Sequence, residues 1–115
     1  MNINTIDQDD VTIFRIEGTY TKEARPDPSL EKLSAEKLAS GRRKLVFDLE
    51  KAEIVSDVAM GDIIAAFKRI HDLGGQLKLA RPSPGTLSLL KMTNLDKVLD
   101  IRDSLESALE SFLLR

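Results

Sequence analysis

The sequence contains no cysteine and no tryptophan, it has one histidine, and aromatic residues make up only 4% of it. Without cysteine the chain has no disulfide framework, no thiolate nucleophile and no cysteine-ligated metal. No uninterrupted apolar run approaches the roughly 20 residues that a transmembrane helix needs. These absences exclude disulfide-rich scaffolds and thiol enzymes, and they predict that no segment spans a membrane.

Charge of one sign is not in large excess either. The 115 residues include 17 basic and 19 acidic side chains, which gives a net charge of −2. A nearly neutral chain lacks the electrostatic footprint of a nucleic-acid-binding protein, so we expect no nucleic-acid partner. Hydrophobic residues account for 42%, the proportion of an ordinary globular protein. A chain of this length is expected to form a single domain over residues 1–115.

The first residues suggest a location in the cell. Met1 is followed by Asn-Ile-Asn-Thr, and not by the basic and then apolar residues that are typical of a secretory signal. The sequence therefore predicts a cytoplasmic protein.

Short segments with β-branched or alternating apolar residues predict five strands, at residues 3–6, 11–16, 44–49, 76–80 and 98–101. The polar run Gln8-Asp9-Asp10 separates the first two strands and predicts a hairpin. Residues 18–27 form the one long polar stretch, and we interpret them as a surface loop.

Four further segments have start signals or apolar spacing that predict helices. The pair Asp27-Pro28 predicts an N-terminal cap followed by proline at the first helical position. Residues 58–73 carry apolar side chains at helical spacing and end at Gly74-Gly75. Ser83-Pro84 predicts the start of a third helix, and Asp103-Ser-Leu-Glu106, which is close to a capping box, predicts the start of a fourth.

The predicted order of elements is β-β-α-β-α-β-α-β-α. Strands joined through helices pair in parallel with right-handed crossovers, whereas a hairpin pairs antiparallel. The sequence therefore predicts an α/β fold in which helices pack on a mixed β-sheet within a single domain.

The sequence contains no spacing of residues that is typical of a catalytic or metal-binding site. His71 is the single conventional base, and no Gly-x-Ser-x-Gly motif accompanies it. The pair Gly74-Gly75 follows a helix instead of preceding one, so it is not a phosphate-binding loop. The pair Asp9-Asp10 and the run Arg42-Arg43-Lys44 are typical of turns and solvated connections. We expect no catalytic residue, no metal, no cofactor and no enzymatic activity.

One junction, from Glu53 to Gly61, joins a strand region to the second helix. Ser56 or Asp57 can cap this helix, whose exposed N–H groups and positive macrodipole end would face solvent. Such a site can hold an anion or a phosphorylated side chain. Simple capping is the alternative explanation, because most helices begin with a capping residue.

At this junction the sequence resembles STAS domains of the anti-sigma factor antagonist type. The run Ser56-Asp-Val-Ala-Met-Gly61, followed by Gly74-Gly75, resembles the family's Asp-Ser-Ser-Gly-Leu-Gly and its later Gly-Gly. Other segments resemble the family's third strand, the loop before its third helix, its Thr-Gly-Leu-Asp stretch and its closing helix, and these are residues 44–49, 81–84, 92–99 and 104–109. The resemblance covers nearly the whole chain.

The resemblance implies a regulatory binding module that takes part in partner switching. Antagonists of this family bind an anti-sigma factor that is also a serine kinase, and this binding releases a sigma factor. The kinase then phosphorylates the second serine of Asp-Ser-Ser-Gly, and the complex dissociates. The physical cause is the phosphate, which adds close to two negative charges to an interface matched to a neutral hydroxyl.

The chain departs from the family at the phosphoacceptor. Val58 occupies that position and has no hydroxyl, so the usual switch cannot operate there. Ser56 is the alternative acceptor, but it lies two residues earlier, where a helix start directs a side chain to another face. Asp57 carries a fixed charge one position away, which is a poor imitation of a phosphate. The sequence thus predicts an antagonist that phosphorylation does not switch.

The resemblance also implies which residues contact the anti-sigma factor. They lie in the loop after the second strand and at the start of the second helix, and they are Thr19, Tyr20, Thr21, Ser56, Asp57, Val58, Ala59, Met60, Gly61 and Asp62. Two alternatives stay open. One is a scaffolding STAS protein that pairs with other STAS domains in a larger signalling assembly, and the other is a ligand-sensing or transport-accessory STAS domain. For the chain by itself we expect a monomer or a weak dimer.

Overall fold

The computed structural model describes residues 1–54 and 57–113 of the chain. After an initial hairpin, strands and helices alternate except where β3 is followed directly by β4, and this arrangement confirms the predicted mixed α/β architecture. In chain order the elements are β1 (Asn2–Gln8), β2 (Val11–Tyr20), α1 (Leu30–Ala39), β3 (Lys44–Asp48), β4 (Ala52–Ile54), α2 (Asp57–Asp72), β5 (Gln76–Ala80), α3 (Pro84–Met92), a 3-10 turn (Leu95–Lys97), β6 (Asp100–Arg102) and α4 (Leu105–Ser111).

Strand β2 makes more strand pairings than any other described strand. It pairs antiparallel with β1 and parallel with β3, and the sheet continues in parallel through β5 to β6. The short β4 pairs in parallel with the end of β2, where Tyr20 lies opposite Ile54. The carboxyl ends of β2, β3, β4 and β5 therefore meet at one edge of the sheet, which is where sites form in sheets of this kind.

Each face of the sheet carries its own apolar cluster, because successive strand residues point to opposite sides. On the front face, Phe14, Phe47 and Leu79 pack with buried residues of α1, α2 and α3. On the back face, Ile13 and Val46 belong to a smaller cluster with residues of α4. The front face thus holds most of the core, and α2 lies directly on it.

The described N-caps, those of α1, α3 and α4, are serines, and two of the predicted caps are wrong by one or two residues. Ser29 Oγ accepts a hydrogen bond from the backbone N–H of Lys32 at 3.1 Å, so Ser29 and not Asp27 caps α1. Ser104 and not Asp103 caps α4 in the same way. The reason is geometric, since a cap must immediately precede the first helical residue to reach the third N–H. The predicted cap of α3, Ser83, is confirmed.

Three strand predictions are corrected. Strand β2 extends to Tyr20, so the predicted surface loop at residues 18–27 begins only after that residue. The extension gives Ala52–Ile54 a partner, and this produces β4, which the sequence did not predict. The last strand is Asp100–Arg102, and Val98 before it is exposed and lies outside any strand. Among the helices in the described part of the chain, none is long and apolar enough to cross a bilayer.

The close packing of α1 and α2 around Gly75 predicts that a larger residue there would destabilise the fold. A Cβ atom there would lie 2.6 Å from Leu38 Cδ2 and 2.9 Å from Ile70 Cγ2, both in the front cluster. We expect Gly75→Ala to lower the free energy of unfolding by about 1–3 kcal/mol, because the core must shift to admit a methyl group. Urea denaturation measures this change.

Gly61→Ala is the matched control for that experiment. Gly61 lies in α2, and a Cβ atom there meets nothing within 4 Å. Alanine is favoured over glycine in helices by up to about 1 kcal/mol, so this variant should be as stable as the wild type or more stable. Equal destabilisation by both substitutions would contradict the packing argument.

Candidate functional site

The start of α2 presents only part of its predicted contact surface to solvent. Asp57 and Gly61 are exposed, and Val58 is partly exposed. Ala59 and Met60 are buried, with exposed fractions of 0% and 5%. These two side chains pack in the front cluster and do not lie on the solvent-exposed surface of the helix start. Contact with a partner at this helix start is left to the exposed side chains and the backbone.

Val58, which the sequence aligns with the family's phosphoacceptor, is the second residue of α2. Val58 is partly exposed there and ends in two methyl groups, so the position has no oxygen to which a phosphoryl group could be transferred. Asp57 precedes it in the first turn, where a carboxylate is favoured by the helix macrodipole. Ser56, the alternative acceptor, lies outside the described residues.

The end of β2 lies beside the strand that leads into α2. Thr19 is exposed, and its hydroxyl donates a hydrogen bond to Glu53 Oε2 at 3.5 Å across the β2–β4 pair. Thr21 Oγ1 accepts a hydrogen bond from the backbone N–H of Ala24 at 3.0 Å, which closes a turn directly after the strand. Tyr20, between them, is fully buried, so its side chain lies in the core and not on the exposed part of the predicted contact surface.

Tyr20 instead joins the sheet to α2 through Asp62. The Tyr20 hydroxyl donates a hydrogen bond to Asp62 Oδ2 at 2.7 Å. Arg25 binds the same carboxylate with two nitrogens, at 2.7 Å from Nη2 to Oδ1 and 3.0 Å from Nε to Oδ2. We call Tyr20, Arg25 and Asp62 the Asp62 cluster. It ties the segment after β2 to the second turn of α2 and so fixes two parts of the predicted surface relative to each other.

The cluster also changes the acidity of its phenol. Burial is the main factor that raises the pKa of Tyr20 well above its ordinary value, and the hydrogen bond to Asp62 and the charge of that carboxylate raise it further. The positive charge of Arg25 acts in the opposite direction but is the smallest of these effects. Tyr20 is therefore a neutral hydrogen-bond donor over the whole physiological pH range.

A second charged group lies at the same edge of the sheet, on its back face. Asp48, only 3% exposed at the end of β3, accepts hydrogen bonds from Arg81 Nη2 at 2.5 Å and Nε at 3.1 Å. Arg81 also donates to Glu50 at 2.7 Å, and Arg15 Nε lies 3.5 Å from Asp48 Oδ2. The hydrogen bonds to Asp48 raise the pKa of the Arg81 guanidinium.

These charges border a cleft of about 170 Å³ that Glu17 and Lys51 also line. The sequence analysis did not identify this group. Asp48 and Arg81 are 33 residues apart, and only the parallel pairing of β3 with β5 places them side by side. Their positions at the ends of adjacent predicted strands were the one available signal. Since the carboxylate and the guanidinium satisfy each other, the group primarily holds the two strand ends together.

The single histidine and the acidic side chains of the described residues form no metal centre. Within residues 1–54 and 57–113, no group of three or more His, Cys, Asp or Glu side chains could hold a metal ion. His71 is exposed near the end of α2, where its ring stacks on Phe67 with centroids 6.2 Å apart. That contact gives the imidazole a structural partner on its own helix.

Comparisons with known proteins point to one family. A family model described as STAS domain matches residues 2–108. A Thermotoga neapolitana protein with the provisional name of anti-sigma factor antagonist is 31% identical over 73 residues, which are 64% of this chain. The match covers 65% of that protein, slightly less than two thirds of its length.

Solved structures share the fold over nearly the whole chain. An anti-sigma factor antagonist from Mycobacterium paratuberculosis superposes with a TM-score of 0.80 at 23% identity, covering 96% of this chain and 92% of that one. The unphosphorylated form of the anti-sigma factor antagonist SpoIIAA gives a TM-score of 0.72 at 13% identity, with 96% of each chain covered. At such identities the likeness establishes the fold alone.

The Asp62 cluster predicts an unusual titration of the phenol. Tyr20 is the single tyrosine of the chain and no tryptophan is present, so ultraviolet absorbance of tyrosinate reports on this group alone. We expect the pKa of Tyr20 to lie well above the ordinary value of about 10. In Asp62→Asn the pKa should fall, because the negative charge that opposes ionisation is gone.

The same shift makes stability depend on pH. Since folding raises the pKa of Tyr20, its contribution to stability is complete below about pH 10 and is lost as the pH rises towards the folded-state value. Tyr20→Phe removes the titrating group, so its stability should fall less steeply in alkali than that of the wild type. Parallel curves for the two proteins, or a wild-type tyrosine that titrates normally while folded, would contradict the assigned cluster.

Proposed function

This chain belongs to the STAS domain family, and from that premise we propose that it acts as an anti-sigma factor antagonist in the cytoplasm. In this role it binds an anti-sigma factor with serine kinase activity and thereby releases a sigma factor, without catalysing a reaction itself. The observation that carries the proposal is the match to the STAS family together with an exposed helix start at the family's regulatory position.

The proposed contact surface is made of exposed groups that the fold holds rigidly together. Thr19 at the end of β2, and Asp57 and Gly61 in α2, are exposed, and Val58 adds a partly exposed apolar side chain. The Asp62 cluster links the segment after β2 to α2, so these groups keep a fixed mutual arrangement. A preformed surface loses little conformational entropy on binding, which favours a stable complex.

Val58 makes the proposed complex insensitive to phosphorylation at this position. Without a hydroxyl at that position, the partner kinase cannot add the phosphate whose charge would break the interface. Binding is therefore constitutive unless Ser56 serves as an acceptor, and that residue is the alternative within the same proposal.

Restoring a hydroxyl at residue 58 tests the switch. The wild-type chain and Val58→Ser are incubated with labelled ATP and the serine-kinase anti-sigma factor that the chain captures from host lysate. We expect phosphate on Val58→Ser and a roughly tenfold or greater loss of its affinity, with no phosphate on the wild type. Val58→Ala, which lacks both the valine methyl groups and a hydroxyl, controls for the change in side-chain size.

Two results would contradict parts of this proposal. Phosphate at Ser56 of the wild type would refute constitutive binding. A captured kinase that binds Val58→Ser but never phosphorylates it would refute docking at this helix start. Capture of other STAS proteins instead of a kinase would favour the scaffolding alternative.

Charge reversal at the helix start tests the location of the interface. Asp57→Lys changes an exposed acidic residue in the first turn of α2, and Glu106→Lys makes the same change in the first turn of α4 on the back face. Both changes oppose a helix macrodipole and should cost a similar fraction of about 1 kcal/mol in stability. We expect Asp57→Lys alone to weaken kinase binding, by about tenfold in a titration. Equal effects of the two variants would place the interface elsewhere.

A further inference from the structure

The two edges of the sheet differ in a way that bears on self-association. The β6 edge is three residues long, and its Asp100 carboxylate is paired with Lys78 and Arg102. Short, charged edges of this kind resist pairing with another chain. The β1 edge is seven residues long, Asn2–Gln8, and contains no lysine, no proline and one charged residue, Asp7. It lacks the protection that the opposite edge has.

The outer side of β1 has an unpaired backbone. Strand β1 pairs with β2 over its whole length, and no other strand of residues 1–54 and 57–113 lies beside it. The backbone hydrogen bonds formed by turns, loops and caps in these residues do not reach β1 either. Half of its N–H and C=O groups therefore point away from β2 with no protein partner, as they do in a strand available for pairing.

Apolar surface accompanies this edge on both faces. Ile3 packs at the margin of the front cluster and Ile6 at the margin of the back cluster, and both are only partly buried. On the front face a cleft of about 270 Å³ lies along β1, with Ile3, Thr5 and Leu33 among its lining residues. A further strand beside β1 would extend both apolar clusters and fill this cleft.

We propose that β1 is a self-association edge, on which β1 of a second copy of this chain pairs antiparallel about a two-fold axis. A strand edge is complementary to itself in this arrangement, because each unpaired N–H meets an unpaired C=O of the other copy. The register that places Ile3 and Thr5 of the two copies beside the cleft puts Asn4 opposite the second copy's Asn4. Ile3 then lies opposite Thr5 of the other copy and beside the cleft, and each front-face side chain meets another front-face side chain.

Charge does not oppose this register. Asp7 of one copy lies opposite residue 1 of the other, so the two Asp7 residues are about 20 Å apart along the paired strands. That separation exceeds the Debye length of about 8 Å at physiological salt, and their repulsion is largely screened. Within its own copy, each Asp7 carboxylate is already paired with Lys37 and Arg42.

The size of the contact sets the expected strength. In this register residues 2–6 of β1 pair with the same residues of the second copy, and these five positions form a junction about 17 Å long, which is small beside a standard stable interface. The dimer is therefore weak, and its population rises with protein concentration. This inference does not depend on the proposed function, since it concerns the opposite margin of β2 from β4 and α2.

Sedimentation equilibrium of the full chain tests the association. We expect the average mass to rise from 12.8 kDa towards twice that value as the concentration increases. Asn4→Lys places two like charges directly opposite each other and should keep the chain monomeric at the same concentrations. Ser88→Lys, which adds the same charge on the exposed surface of α3, should still dimerise. Circular dichroism confirms that each variant is folded.

Disulfide trapping identifies the edge and the register without relying on an introduced charge. The chain contains no cysteine, so Asn4→Cys and Ser88→Cys each carry a single thiol. Directly opposite residues have Cβ atoms about 4.5–5.5 Å apart, close to the distance that a disulfide spans. Under mild oxidation, Asn4→Cys should form a covalent dimer at least about tenfold faster than Ser88→Cys, because the Ser88→Cys thiols of two copies meet only in random collisions.

Either of two results would overturn the proposal. One is a wild-type chain that stays monomeric at every concentration up to the solubility limit. The other is a dimer for which Asn4→Cys cross-links no faster than Ser88→Cys, because that dimer would use another surface.

Discussion

The pairing of β2 with three other strands is the constraint on which the rest of the structure depends. Its first half holds β1 and β3, and its last three residues hold β4. This last pairing brings the end of β4 beside the end of β2, and α2 begins shortly afterwards. A long central strand thus determines where the start of α2 lies.

The Asp62 cluster adds side-chain contacts between β2, the segment after it and α2 to the backbone pairing of β2 with β4. Tyr20 reaches from the sheet to α2 within the core, while Arg25 reaches the same carboxylate from the solvent side. A carboxylate that accepts both a phenol and a guanidinium is better satisfied than an isolated ion pair at a surface. The buried hydrogen bond and the exposed ion pair together hold the segment after β2 against α2, next to the helix start that we propose as a contact surface.

Sequence reasoning was successful where periodicity extends over several residues. The apolar spacing of residues 58–73 and the alternation in Lys44–Asp48 and Gln76–Ala80 gave correct elements, and the motif order gave the correct family. It failed for β4, since three residues carry no readable period and depend on the extension of β2. The Arg25–Asp62 and Asp48–Arg81 pairs join residues more than 30 positions apart, so they follow from tertiary structure and not from local pattern.

Burial also limited what motif matching could say about the surface. Ala59 and Met60 lie within the segment that was predicted to contact a partner, yet helical geometry turns them into the core while Asp57 and Gly61 face outwards. Matching a motif position to a role therefore identifies a segment, and the helix period then decides which of its side chains are available.

The absence of a hydroxyl at residue 58 has a consequence for how cells would control this chain. A protein that is inactivated by covalent modification can respond within the turnover time of a kinase and a phosphatase. If the chain acts as proposed and Ser56 is not an acceptor, it responds only by mass action, through the ratio of its free concentration to its dissociation constant. Synthesis, degradation and competition among partners would then set the threshold of the response, and the amount of the protein itself would be the signal.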